Sequence, residues 1–186
     1  RGPAIFNTVK LFDYLHGKEV RSWSEAGDLE DLSRDGKTLV TSYSRSKQIA
    51  LWDVATGQKL TTLSNVPVTF VALSPDGKML AVLASAGEEA ARVQLCDATG
   101  IRPMTLLQGH AGKIAAMEFS PDGRLLATAS TDQSLRLWDV EKPRGLVSLP
   151  CIKYNVRALA WSPKGDRLAV GMAYGTNNSV IDDIYD

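Results

Sequence analysis

The residue types best suited to chemistry lie in one stretch of the chain, residues 109–140. His110, Ser130 and Asp132 are the three types that form a hydrolase triad, in which a histidine takes the serine proton and a carboxylate orients the histidine. In the α/β-hydrolases the nucleophile occupies a Gly-x-Ser-x-Gly turn, whereas Ser130 follows Ala-Thr-Ala. The sequence therefore favours a structural role for these residues over a catalytic one.

Other kinds of chemical site have little support. The second histidine, His16, lies in a turn, and Cys96 and Cys151 are too few for a disulfide framework or a zinc site. The chain has no glycine-rich phosphate loop and no EF-hand spacing of carboxylates. We therefore expect no catalytic residue, no metal and no cofactor.

Four similar turns recur along the chain and must position these residues. Their first residues, Ser33, Ser74, Ser120 and Ser162, stand 41, 46 and 42 residues apart. Each turn ends in glycine, which tolerates positive φ, and each is flanked by apolar alternation. This pattern predicts β-hairpins at 33–36, 74–77, 120–123 and 162–165. A Trp-Asp pair also recurs, at 138–139 and 52–53, with weaker counterparts at 96–97 and 12–13.

The best repeat opens with Gly109-His110 and closes with Trp138-Asp139. With its period of about 40–45 residues, this pattern resembles the WD-repeat β-propeller family. The resemblance covers nearly the whole chain, and residues 51–60 are similar to repeats of prokaryotic members. It implies an all-β fold, a β-propeller of four-stranded antiparallel blades.

The repeat divides the chain into about four blades' worth of sequence. Residues 1–24 supply the end of a blade, 25–63, 64–108 and 109–149 are full repeats, and 150–186 are an incomplete repeat. Since both ends are out of phase with the blades, we expect a partial propeller within a larger ring. Propellers have about 4–8 blades, and the resemblance to the family implies seven. Two alternatives to further blades of the same polypeptide remain open: a second copy of the chain completes the ring, or the chain closes on itself as a ring of four blades.

The resemblance also implies a buried hydrogen-bond network in the best repeat, formed by His110, Ser130, Asp132 and Trp138. In the first full repeat Ser44 and Trp52 match it, and in the second Cys96 takes the place of tryptophan. A partner-binding face is implied where loops enter each first strand and join second to third strands. Its candidate residues are Asp28, Arg45, Thr69, Lys113, Thr131, Asn155 and Arg157.

Composition narrows the choice of partner. Twenty-one basic residues balance 21 acidic ones, which gives no electrostatic signature for nucleic acid or an anionic membrane. No apolar run approaches the roughly 20 residues that span a bilayer. We expect partners that are proteins or peptides, self-association through open blade edges, no nucleic acid, no membrane, and a cytoplasmic location.

These patterns predict a non-catalytic scaffold for protein–protein interaction. One alternative is a sensor or regulatory propeller module of a larger multidomain enzyme. The other is a propeller enzyme with a site in its central channel. That alternative is disfavoured because the inner strands are expected to be mostly apolar and small.

Overall fold

In a computed structural model of the chain, the described residues are 7–24, 26–43, 46–64, 68–84, 92–98, 103–142, 144–150, 155–174 and 179–185. Within these ranges the side chains at 68–69, 84, 103–104, 150, 155, 173–174 and 179–185 are left undescribed. The described strands are β1 Val9–Asp13, β2 Lys18–Trp23, β3 Asp28–Leu32, β4 Thr38–Tyr43, β5 Gln48–Asp53, β6 Lys59–Ser64, β7 Val68–Leu73, β8 Met79–Ala84, β9 Arg92–Asp97, β10 Pro103–Leu107, β11 Ile114–Phe119, β12 Leu125–Ser130, β13 Ser134–Asp139, β14 Arg144–Pro150, β15 Asn155–Trp161, β16 Leu168–Tyr174 and β17 Ser179–Tyr185.

Consecutive strands pair antiparallel into sheets. Three sheets have four strands each, β3–β6, β7–β10 and β11–β14, while β1–β2 and β15–β17 form sheets of two and three strands. The prediction of an all-β chain built from four-stranded antiparallel sheets is therefore confirmed.

The four predicted hairpin turns are present. In each, the glycine N–H donates to the serine carbonyl, as from Gly123 to Ser120 at 2.8 Å, and the glycine has positive φ. The Ser120 hydroxyl donates to Asp122 at 2.6 Å and accepts from the N–H of Leu125. In the last turn Lys164 replaces the aspartate, and Ser162 donates to Asp166 instead. These short-range bonds explain why the turns could be predicted locally.

The sheets pack face to face in chain order, and a buried apolar cluster lies between each pair of neighbours. Strand β5 has four consecutive buried residues, because its sheet lies between two others, whereas the outer strand β6 alternates with exposed positions. The first strands β3, β7, β11 and β15 lie beside one another. The loops that precede these first strands, and the loops that join the second strand of each sheet to its third, therefore share one face of the stack.

One detail of the sequence-based interpretation was wrong. The register pairs Tyr43 with Gln48 and Ser42 with Ile49, just as Ala129 pairs with Leu135, so Tyr43 and not Ser44 corresponds to Ser130. Ser44 itself lies outside the described residues. Most residues that line the cavity between the inner strands are apolar, and the acidic Asp31 and Glu118 are among the exceptions.

Candidate functional site

The histidine of the best repeat sits at the centre of a buried network. His110, in the loop before β11, is 5% exposed. Its Nδ1 lies 3.0 Å from Oδ2 of Asp132, and its Nε2 lies 2.8 Å from Oγ1 of Thr128. The indole of Trp138 donates to the same threonine oxygen at 2.8 Å. Burial lowers the pKa of His110, so the ring is neutral at pH 7 and we assign its proton to Nδ1, facing Asp132.

Asp132 holds the loop before β11 against the turn after β12. Its Oδ2 also accepts the N–H of Ala111 at 2.8 Å, and its Oδ1 accepts the Ser134 hydroxyl at 2.6 Å. Burial alone would raise the pKa of Asp132, but the hydrogen bonds from Ser134, Ala111 and His110 outweigh burial and hold it far below the usual range. Asp132 is therefore a fixed anion that joins two loops.

The link between Trp138 and His110 is Thr128, which the sequence reasoning missed. The hydroxyl of Ser130, expected in this place, accepts the N–H of Asp132 at 3.2 Å instead. Ser134 also joins the network, 3.1 Å from Nδ1 of His110. The structure thus brings His110, Asp132 and Trp138 together and places Ser130 at the margin of the group, beneath the turn.

The sequence did carry a signal for this threonine. In the first full repeat, Trp52 donates to Thr41 at 2.9 Å, and Thr41 stands eight residues after its turn serine, as Thr128 does. In the repeat where Cys96 replaces tryptophan, the same position is Val82. Threonine is present where an indole needs an acceptor and absent where it does not. Comparing the repeats by position would have identified the pair.

The residues predicted for the partner face are only partly brought together. Lys113 and Thr131 are exposed and adjacent: the Lys113 N–H donates to Thr131 Oγ1 at 2.9 Å. Asp28 is exposed and accepts a hydrogen bond from Asn7, which lies just before β1 of the neighbouring sheet. Arg157 is exposed on β15. Arg45 lies outside the described residues, as do the side chains of Thr69 and Asn155.

Comparison with known proteins gives the context for this geometry. The family model described as "WD domain, G-beta repeat" matches residues 101–139, which include the whole network. Protein groucho of Drosophila melanogaster is 30% identical over 142 residues, or 74% of this chain and 19% of that protein. Pre-mRNA-processing factor 19 homolog 2 of Arabidopsis thaliana is 28% identical over 173 residues, or 82% and 32%. WD repeat-containing protein SL1-17 of Schistosoma mansoni is 32% identical over 155 residues, or 61% and 50%.

The chain belongs to the WD-repeat family. Such chains generally act as non-enzymatic protein-interaction modules. This WD-repeat chain spans between 19% and 50% of the length of these three curated relatives.

The network of the WD repeat shares part of the geometry of a triad, because His110 has the Thr128 hydroxyl on Nε2 and Asp132 on Nδ1. Thr128 is completely buried and its oxygen accepts the indole N–H of Trp138, so this hydroxyl is not accessible to a substrate. The serine near His110, Ser134, approaches Nδ1, as Asp132 does, and donates its hydroxyl to Asp132. The arrangement therefore satisfies buried polar groups instead of activating a hydroxyl.

The described part of the WD-repeat chain has neither a candidate metal cluster nor a membrane-spanning helix. Within it, no three His, Cys, Asp or Glu side chains are grouped so that they could hold a metal ion. Within the same residues, no helix has the length and apolarity that a membrane span requires.

Proposed function

We propose that this chain is a non-catalytic platform for protein–protein interaction whose binding face centres on Lys113 and Thr131. The observation that carries the proposal is the reciprocal bonding of these residues. The Lys113 N–H donates to Thr131 Oγ1 at 2.9 Å, and the Thr131 N–H donates to the Lys113 carbonyl at 2.8 Å. Both bonds use the backbone of Lys113, so its exposed ammonium group is available to a partner.

Rigidity beneath this face supports the proposal. Asp132 follows Thr131 directly and is bonded to His110 and Ala111, so the two loops that carry Lys113 and Thr131 are fixed to each other. A preorganised surface loses less conformational entropy on binding, which favours affinity. The buried network therefore acts as the support, and the exposed residues above it make the contacts.

Site-specific photo-crosslinking tests the proposed face. A photoreactive amino acid is placed at Thr131, at Arg157 or at Lys164, and cross-linked proteins are identified after irradiation of extract from the source cells. Lys164 is the control because it is exposed in the 162–165 turn, at the other end of β15 from Arg157. We expect a shared partner at Thr131 and Arg157 that is absent at Lys164.

Binding measurements on the identified partner then decide the role of charge. Lys113→Glu should weaken its binding at least about tenfold, and Lys164→Glu should leave it unchanged. Equal cross-linking at all three positions, or no loss of binding in Lys113→Glu, would refute the proposed face.

A regulatory module within a larger enzyme is the second candidate function. It is favoured by one observation, that the chain matches only part of each relative, down to 19% of Protein groucho. In that case the face would bind within or beside another domain of the same polypeptide. Cross-links from Thr131 that join the chain to another part of its own full-length protein would support this candidate over the first.

We infer further that the two incomplete sheets, β1–β2 and β15–β17, pair with strands outside this chain or in another copy of it. Within the described residues β1 pairs only with β2, and β17 only with β16, whereas β5, β9 and β13 each pair on both sides. An edge with unpaired N–H and C=O groups is a template for another strand. The partner strands would come from further blades of a larger ring or from a second copy of the chain. The cytoplasmic location remains a prediction.

A further inference from the structure

The inner strands line a partly open cavity of about 430 Å³ that the proposed function does not use. Strands β3, β7 and β11 form its walls, together with Trp161 of β15. Its charged lining groups are Glu30, Asp31, Arg34 and Glu118. Three carboxyl groups therefore face one guanidinium group, and β7 contributes only apolar side chains.

Asp31 connects two neighbouring sheets through this cavity. Its Oδ2 accepts the N–H of Leu73, on β7, at 2.8 Å, and its Oδ1 accepts the N–H of Leu32 at 2.7 Å. Burial raises the pKa of Asp31, and these two hydrogen bonds only partly oppose the effect. Ionised Asp31 therefore carries a desolvation cost inside the contact between β3 and β7.

Glu118 occupies the same place in its own repeat, two residues before the turn serine. Its Oε2 is buried and has no hydrogen-bond partner among the described residues. Burial raises its pKa, and the negative charge of Asp31 adds to the rise, while the backbone N–H of Trp161 and the charge of Arg34 oppose it. Trp161 stands in its repeat where Leu73 stands, so both carboxyls face the next inner strand.

We propose that Asp31 and Glu118 make the packing of the inner strands depend on pH. The strands pack more tightly when Glu118 is protonated and less tightly when both carboxyl groups are ionised. The third carboxyl group, that of Glu30, already accepts a hydrogen bond from the Ser42 hydroxyl. Arg34 is one positive charge against the two ionised carboxylates. Because an unpaired buried charge is expensive, protonating Glu118 removes both the desolvation cost and the repulsion by Asp31.

The direction of the pH effect follows from the raised pKa values. The folded chain holds these protons more tightly than the unfolded chain, in which carboxyl groups titrate near about pH 4. The stabilising contribution is complete below that pH and is lost as pH rises through the raised folded pKa values. Each pKa unit of difference changes the unfolding equilibrium constant about tenfold.

Glu118→Gln separates this effect from other titrations. The amide cannot ionise, so we expect a higher denaturation midpoint than the unaltered chain at about pH 7, and a difference that disappears near about pH 4. Glu141→Gln is the matched control because Glu141 is exposed after β13. It should follow the unaltered chain at every pH.

A local signal makes the test independent of global stability. The Trp161 indole N–H donates to the backbone carbonyl of Glu118 at 3.3 Å, so its NMR resonance reports on this carboxyl. It should titrate above the usual range of glutamate in the unaltered chain, titrate at lower pH in Asp31→Asn, and lose this titration in Glu118→Gln. Coincident stability profiles for Glu118→Gln and Glu141→Gln, or an indole titration unchanged by Glu118→Gln, would overturn the proposal.

Discussion

The indole of Trp138 donates to the hydroxyl oxygen of Thr128 at 2.8 Å, and both side chains are almost completely buried. The same oxygen lies 2.8 Å from Nε2 of His110, so a single threonine satisfies an indole and an imidazole. Because His110 is in turn bonded to Asp132, this contact connects the core of one sheet to the loops on its face. We therefore expect the stability of that face to depend strongly on Thr128.

Thr128→Val should therefore destabilise the chain by about 2–4 kcal/mol, because valine keeps the shape but strands two buried groups. Thr41→Val strands only the Trp52 indole and should cost about 1–2 kcal/mol. Urea denaturation of the two variants measures the difference. A smaller loss for Thr128→Val than for Thr41→Val would contradict this account of the network.

The coupling between Thr128 and Trp138 can be measured directly. In a double-mutant cycle of Thr128→Val and Trp138→Phe we expect an interaction free energy of about 1 kcal/mol. A cycle of Thr41→Val with Trp138→Phe is the control, since these residues lie in different sheets, and its interaction term should be close to zero. Similar interaction terms in both cycles would mean that the two residues are not specifically linked.

His110 should make stability fall on the acid side of neutrality. Its folded pKa is lowered, mainly by burial, so the unfolded chain takes up a proton more readily as pH drops below about 6.5. The contribution is complete above that pH and is lost as pH falls toward the folded pKa. In His110→Gln this part of the pH dependence should vanish from the denaturation midpoint. His16→Gln, at an exposed turn, should retain it.

Gly112 sits where the two loops of the face meet. An added Cβ would lie 2.6 Å from both the Asp132 nitrogen and Thr131 Oγ1, which is too close without movement of the backbone. We expect Gly112→Ala to cost about 1–3 kcal/mol and to broaden or shift the NMR signals of Lys113 and Thr131. At Gly145 an added Cβ meets ordinary contacts of 3.7 Å, so Gly145→Ala should be nearly neutral. Equal losses of stability in Gly112→Ala and Gly145→Ala would contradict the steric explanation.

The open edges of β1 and β17 predict association of the isolated chain. Light scattering after size-exclusion chromatography should give a mass above 20.1 kDa that increases with concentration. Charge substitution at Val9 is unsuitable as a test, because Val9 is packed with Trp23 in a buried cluster and its loss would affect folding. A concentration-independent monomer with one sharp unfolding transition would favour self-closure.

The sequence by itself determined the turns, the strands and the family. A turn such as 120–123 is set by bonds within about five residues, Ser120 to Asp122 and Ser120 to Leu125. Local chemistry of this kind repeats whenever the residue types repeat, so the period, the hairpins and the apolar strands could be inferred without any long-range information.

Only the tertiary structure decided which polar groups meet between sheets and loops. The acceptor for Trp138 is Thr128 because strand pairing places that hydroxyl under the indole, while Ser130 lies two residues further on, near the turn. Asp31 and Glu118 come from distant repeats, and their shared cavity exists only because inner strands of successive sheets lie side by side. Packing brings these groups together and removes water from around them. No local pattern encodes this desolvation, which shifts their pKa values and sets the free-energy cost of ionising them.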